Sequence, residues 1–113
     1  MEKLKFNIEF LPEAVEFLEK LDPKAREKIY YNMRKSQVLN DSELLKKLND
    51  FIWEFRTKYN GNIYRLFAFW NRDDGCETLV IATHGIYKKT QKTPLKEIMK
   101  AEQIRKMYLK NAK

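Results

Sequence analysis

The sequence has few of the residues on which disulfide and metal chemistry depends. It contains one cysteine, Cys76, so no disulfide can form within the chain, and a reducing cytoplasm is the expected compartment. The chain also contains only one histidine. One cysteine and one histidine argue against a zinc site, which takes about four nitrogen or sulfur ligands. No apolar stretch approaches the roughly 20 residues that cross a bilayer, and the first residues lack the apolar core of a signal peptide. We therefore expect a cytoplasmic protein with no metal ion and no membrane partner.

Glycine and proline are also scarce, with three of each among 113 residues, whereas 43% of the chain is hydrophobic and 13% is aromatic. This composition is typical of a globular protein, and the length suits one domain, residues 1–113. The sequence has no glycine-rich phosphate loop, no nucleophile elbow and no Cys-x-x-Cys pair. It therefore gives no indication of a bound cofactor.

The positive charge is concentrated in the second half of the chain. Residues 1–50 carry ten Lys/Arg and ten Asp/Glu, whereas residues 51–113 carry thirteen and six, so the whole net charge of +7 lies after residue 50. A basic surface of this kind favours a polyanionic partner, with nucleic acid the first candidate. A solvated basic face or a dock for an acidic protein is the alternative.

Three segments have the apolar spacing of helices. Proline suits the first position of a helix because its missing N–H would be unpaired there in any case. Asp22 is a predicted cap of the second helix, and Tyr30 is predicted to face inward from it. The first predicted helix begins at Pro12, and the second begins at Pro23 and ends before Asn40. The last predicted helix runs from Pro94 to about Lys110. A short helical turn from Asp41 to Leu48 is also expected.

Apolar residues alternate with polar ones, or form short runs, in four further segments that predict strands. Asn60-Gly61 is a hairpin signal between two of them. The resulting order, β-α-α-β-β-β-α, predicts an α+β domain in which an antiparallel meander carries the two N-terminal helices on one face, followed by a C-terminal helix. The predicted strands are Lys5 to Phe10, Phe51 to Thr57, Ile63 to Trp70 and Glu77 to Thr83, with a second turn at Arg72 to Gly75.

Two arginines lie inside predicted strands. Alternation puts Arg65 on the same face as Phe67 and Phe69, and Arg56 ends the strand before it. A charge in an aromatic strand must reach solvent or find a partner. Three interpretations stay open: an anion-binding role, an ion pair, for which Glu54 and Glu77 are the candidate partners, or an edge arginine whose charged end reaches solvent.

The single histidine follows the last predicted strand and opens a basic loop. We expect that strand to deliver His84 and the lysines after it to one edge of the sheet, where Gly85 eases the turn. Tyr87 can stack on a nucleobase. The alternatives are a hydrogen-bonded structural histidine, a half-buried tyrosine and a solvated lysine loop.

These residues resemble the RelE/HigB-like toxins of type II toxin–antitoxin systems, in particular the phage-derived branch of the RelE/ParE superfamily. The resemblance covers essentially the whole chain. Its most specific part is the basic string that leads to the last helix. The motifs that carry it are Trp53-Glu54-Phe55-Arg56, Tyr64-Arg65-Leu66-Phe67 and His84-Gly85-Ile86-Tyr87-Lys88-Lys89-Thr90-Gln91-Lys92-Thr93-Pro94.

The resemblance implies a RelE-like fold and a metal-independent endoribonuclease that cleaves mRNA in the ribosomal A site and so inhibits translation. The 2′-hydroxyl attacks the adjacent phosphate and leaves a cyclic phosphate and a 5′-hydroxyl. By position, Arg56 and Arg65 would brace the phosphate, His84 would be the acid or base, and Lys89 would stabilise the leaving oxygen. The residues expected to bind RNA are Lys58, Tyr87, Lys88 and Lys92.

The implied partners are mRNA, the ribosome and a cognate antitoxin from the same operon, expected to be a helix-turn-helix protein. Two other functions stay open. One is that of the ParE branch, which inhibits DNA gyrase and cuts no RNA. The other is a non-catalytic RNA-binding module, in which the basic loop only grips phosphate.

Overall fold

The computed structural model describes residues 5–39, 41–71, 78–88 and 93–111, with 78–88 described through its backbone. It is an α+β fold with three helices, as the sequence predicts, and with one more strand than predicted. In chain order the elements are β1 (Asn7–Phe10), α1 (Pro12–Glu19), α2 (Pro23–Val38), β2 (Leu45–Lys47), β3 (Trp53–Tyr59), β4 (Asn62–Asn71), β5 (Thr78–Lys88) and α3 (Leu95–Asn111).

The strands form a five-stranded sheet in the order β1-β5-β4-β3-β2. The predicted antiparallel meander is confirmed, since β3 pairs with β4 and β4 with β5 in antiparallel fashion. Strand β1 adds to the outside of β5 in parallel, with Asn7 opposite Thr78 and Phe10 opposite Ile81. The predicted hairpin turn is also confirmed: Asn60 and Gly61 have φ of 52° and 81°, the positive values that a tight two-residue hairpin loop requires.

Helices α1 and α2 pack on one face of the sheet. Asp22 caps α2 as predicted, because its carboxylate accepts hydrogen bonds from two backbone N–H groups of the first turn. The predicted inward position of Tyr30 is wrong, since Tyr30 is 45% exposed, although its ring packs at a steep angle against that of Phe10. The buried residues of this first core are Ala14, Leu18, Ala25, Ile29, Met33, Phe55, Tyr64, Leu66 and Ala68.

Helix α3 packs against the opposite face. Phe67 and Phe69 alternate with the first-core residues of β4, so their side chains leave the sheet on the other side, as the period of a strand requires. Ala101 of α3 is fully buried there together with Ile52. Ile98, Ile104 and Tyr108 pack around this second core. The two cores therefore share one sheet, and the face beneath α3 is the one that carries Arg65.

The segment predicted as a helical turn, Asp41 to Leu48, forms one turn that is followed by a short strand. The carbonyl of Asp41 accepts from the N–H groups of Leu44 and Leu45, which makes a single turn. The chain then enters β2, where Leu45 pairs with Phe55 and packs against the first core. The prediction was wrong because pairing with β3 satisfies backbone groups that one isolated turn would leave open.

The predicted loop after Thr83 is also wrong, because β5 continues through His84 to Lys88. Its last residues pair with the start of β4, with Gly85 opposite Leu66 and Lys88 opposite Ile63. Strand β5 is also an inner strand of the sheet, between β1 and β4, rather than an edge. The second predicted turn, at Arg72 to Gly75, lies outside the described residues.

Candidate functional site

The two strand arginines lie directly opposite each other. The register of β3 and β4 pairs Arg56 with Arg65, so both side chains leave the same face of the sheet. This is the α3 face, as alternation with Phe67 and Phe69 predicts for Arg65. Like charges opposite one another destabilise a strand pair unless another group compensates them. The structure therefore has to supply an anion beside this pair.

Glu54 supplies that anion. It precedes Arg56 by two residues on β3 and so shares its face. Its Oε1 lies 3.0 Å from Arg65 Nη1 and 3.5 Å from Arg56 Nε. The side chains of Glu54 and Arg65 are each only 1% exposed. For Arg65 the structure thus gives the ion pair that the sequence left open, with Glu54 as its partner; Glu77, the other candidate, lies outside the described residues.

Thr93 completes the network from a third segment of the chain. Its hydroxyl donates a hydrogen bond to Glu54 Oε2 and accepts one of 3.0 Å from Arg65 Nη1. Thr93 stands two residues before the first residue of α3. The buried carboxylate therefore connects β3, β4 and the approach to the C-terminal helix. We name Glu54, Arg56, Arg65 and Thr93 the arginine cluster.

The members of the arginine cluster differ in how far their side chains are exposed to solvent. Arg56 keeps 17% of its side-chain surface exposed, whereas Arg65 is enclosed. Lys58 follows Arg56 by two residues, shares its face and is exposed. The charge that an anion in solvent can approach is therefore that of Arg56 and Lys58, with Arg65 behind them.

His84 lies in an irregular part of β5. Its neighbour Gly85 pairs with Leu66, but the next pair along the strand joins Ile81 to Ala68, so the register shifts between them. Phe67 of β4 stands at this shift. Irregularities of this kind recur beside active sites, where they change the direction of a side chain. The backbone of His84 thus lies near the row of the sheet that holds Glu54 and Phe67.

The remaining predicted RNA-binding residues are placed only in part. Tyr87 of β5 pairs with Tyr64, and Lys88 pairs with Ile63, so both lie at the end of the sheet nearest the hairpin. Ile86, the residue before Tyr87, pairs with Arg65. Lys89 and Lys92 lie outside the described residues.

Sequence reasoning identified the arginines but did not assign Glu54 and Thr93 to the site. The spacing of Glu54 and Arg56 was a usable signal, because residues two apart on a strand share a face. Thr93 was recognised only as part of the basic string before the last helix, and nothing local to its segment points to a carboxylate on β3. In the described part of the chain, no three His, Cys, Asp or Glu side chains are grouped as metal ligands. Within that part, no helix is long and apolar enough to cross a membrane.

Comparison with known proteins identifies a family. The sequence profile described as "Phage derived protein Gp49-like (DUF891)" matches residues 16–106. That range contains α2, the whole meander and all four members of the arginine cluster. No curated protein gives a significant match. The chain therefore belongs to the phage-derived Gp49-like family, which is associated with toxin-like proteins.

Proposed function

We propose that this protein is the toxin of a type II toxin–antitoxin system and acts as a metal-independent endoribonuclease on mRNA, in the ribosomal A site. Membership of a toxin-associated family supports the first part. The observation that supports the second most directly is the opposed pair Arg56 and Arg65. They lie in the half of the chain that holds all the net positive charge. Cations at a phosphate can stabilise the charge that develops when its bonds rearrange.

The reaction would be an internal transfer at phosphorus. The 2′-oxygen forms a bond to the adjacent phosphorus as its proton passes to a base, and the bond to the 5′-oxygen breaks as that oxygen takes a proton. The products are a 2′,3′-cyclic phosphate and a 5′-hydroxyl. His84 is the candidate for one of the two proton transfers, and Lys89 for stabilising the leaving oxygen.

The arginines would have unequal roles in this reaction. Arg56 has exposed surface and is the candidate for direct contact with a phosphate oxygen. Arg65 is enclosed with Glu54, so it would act from behind Arg56 through its charge and its position. Further contacts to the RNA would come from Lys58, Tyr87, Lys88 and Lys92.

The proposed partners follow from the same function. A toxin of this kind requires a cognate antitoxin, which we propose to be a helix-turn-helix protein from the same operon. A basic face around Arg56 and Lys58 suits an acidic antitoxin segment as well as RNA. Because RNA and antitoxin would both bind this face through its charge, the binding of each partner should weaken with salt.

The test is cleavage of one defined mRNA by the purified chain, either bound to programmed ribosomes or as naked RNA with and without EDTA. We expect cuts only in the ribosome-bound message, with 5′-hydroxyl ends that polynucleotide kinase labels without prior phosphatase treatment. Arg56→Gln and His84→Gln should each abolish cleavage while the protein remains folded. Arg34→Gln, which removes the same charge from the exposed face of α2, is the matched control and should cleave normally.

Each other outcome has a definite meaning. Cuts in naked RNA that survive EDTA would retain the metal-independent chemistry and remove the ribosome as a requirement. Cuts that EDTA abolishes would refute the metal-independent mechanism. The absence of cuts in every arm would refute the nuclease, and a supercoiling assay with DNA gyrase would then test the ParE-like alternative.

A further inference from the structure

The two oxygens of Glu54 have different partners. Oε1 is shared by the cations, with Arg65 Nη1 at 3.0 Å and Arg56 Nε at 3.5 Å. Oε2 accepts the hydroxyl proton of Thr93. Arg65 Nη1 also donates to that hydroxyl at 3.0 Å, so Glu54, Arg65 and Thr93 form a closed ring of contacts.

We infer that Glu54 and Thr93 are positioning residues, which hold Arg65 in place behind Arg56 and so fix the direction in which Arg56 meets an RNA phosphate. The inference rests on the proposed ribonuclease function for its catalytic consequence. Its structural part, the dependence of both arginines on Glu54 and Thr93, does not rest on it.

The first argument is electrostatic. Two guanidinium groups on opposed strand positions repel each other, and the side chain of Arg65 is only 1% exposed. A buried charge persists only where a partner and hydrogen bonds compensate its lost hydration. Among the residues that the structure describes, Glu54 contacts both arginines through its carboxylate. Without its charge the pair would separate, and Arg56 would leave its present position.

The second argument concerns direction. A carboxylate fixes a neighbouring arginine well only when the carboxylate itself cannot rotate. The hydroxyl of Thr93 fixes Oε2, which leaves Oε1 directed at the cations. Because Thr93 lies just before the first residue of α3, the orientation of the arginines also depends on how that helix packs against the sheet. Misplacing a catalytic group by about 1 Å can cost about 100-fold in rate.

The structural part can be tested by NMR without any substrate. Arginine side-chain N–H signals of the full-length protein, assigned with Arg56→Lys and Arg65→Lys, should include a resolved Arg56 Nε–H signal and protected Arg65 Nη–H signals. We expect Thr93→Val to shift or broaden these signals while the backbone amide spectrum keeps its dispersion. Thr93→Ser retains the hydroxyl and should restore them. Unchanged arginine signals in Thr93→Val would overturn the inference.

The catalytic part uses the same variants in single-turnover cleavage of ribosome-bound mRNA. Thr93→Val should reduce the maximal rate about 10- to 100-fold. The concentration of protein at half-maximal rate should change less than about threefold, and Thr93→Ser should recover most of the rate. Glu54→Gln should lose at least as much rate, and should bind a 2′-O-methyl RNA, which cannot be cut, more tightly because one negative charge beside the arginines is gone.

The control is Glu102→Gln. This change also neutralises a half-buried glutamate on the α3 side of the sheet, but Glu102 accepts from Asn49 at 2.7 Å and touches neither arginine in the contacts described above. It should cleave at the wild-type rate. A purely structural role for Thr93 would instead lower the melting temperature and leave both the arginine signals and the rate of the folded fraction unchanged, which would overturn the inference.

The cleavage and NMR experiments distinguish failure of the proposed function from failure of the inference about Glu54 and Thr93. A wild-type protein that cuts no RNA in any arm refutes the proposed function and with it the catalytic part, while the NMR result still decides the structural part. Glu54→Gln is the variant at most risk of misfolding, because it removes the negative charge that both arginines contact. Thr93→Val, which preserves shape and charge, keeps the inference testable in that event.

Discussion

Replacing Arg65 with methionine should destabilise this protein strongly. Methionine keeps the apolar stem of the side chain but removes the guanidinium group that pairs with Glu54 at 3.0 Å, in a position where both side chains are 1% exposed. Breaking a buried ion pair from one side typically costs about 3–5 kcal/mol, because the remaining charge stays buried. Arg56 and Thr93 continue to contact Glu54, which places the expected loss near the lower end, about 3 kcal/mol.

The measurement is unfolding in urea, with thermal unfolding as a second readout. Unfolding entropy is about 2.1 cal/mol/K per residue, so a chain of 113 residues loses about 4 °C of Tm for each kcal/mol. Arg65→Met should therefore melt about 12 °C below the wild type. The double variant Glu54→Leu/Arg65→Met removes both charges and should recover about half of that loss or more, since apolar replacements for a buried pair are often neutral.

Equal stability of Arg65→Met and the wild type would refute the reasoning, because a buried, compensated arginine cannot be removed without cost. A double variant no more stable than Arg65→Met would refute the coupling of Arg65 to Glu54. The same result bears on function. Loss of cleavage in an Arg65 variant is uninformative unless the folded fraction is known, whereas Arg56, which retains exposed surface, is the cleaner site for a catalytic test.

Three further predictions concern stability, each measured by urea unfolding. Thr57→Val should cost about 1–3 kcal/mol, because the Asn32 side-chain amide, which donates to Thr57 Oγ1 at 3.2 Å inside the core, is left without that acceptor; a loss below about 0.5 kcal/mol would contradict the bond. Gly61→Ala should cost about 1–2 kcal/mol from backbone strain alone, since φ is +81° and an added Cβ meets nothing within 4 Å; an unchanged midpoint would mean that the turn has another form. Asp22→Ala should cost about 1 kcal/mol through loss of two capping bonds, whereas Asp22→Asn, which can still cap, should lose clearly less.

Much of the fold could be read from local patterns. The hairpin at Asn60-Gly61 follows from backbone preferences of two residues, and the cap at Asp22 follows from one side chain and the N–H groups beside it. Alternation within β4 correctly assigned Arg65 to the face of Phe67. These are properties of neighbours in sequence, and the physical causes act within a few residues.

Other features depended on partners far along the chain. Strand β2 exists because β3 offers it hydrogen bonds, and β5 continues past His84 because the start of β4 lies opposite it. Local propensity for a turn at Asp41 or for a loop after Thr83 was outweighed by these pairings. Backbone groups that find partners in a sheet gain more than an isolated turn provides.

By itself, the sequence determined an α+β chain with its net charge in the second half and two arginines on strands. The tertiary structure decided what those arginines do. The register places Arg56 opposite Arg65, and packing brings Glu54 and Thr93 to them. Whether an arginine is solvated or paired depends on how much water the surrounding elements remove from it, and that quantity exists only once distant segments have packed together.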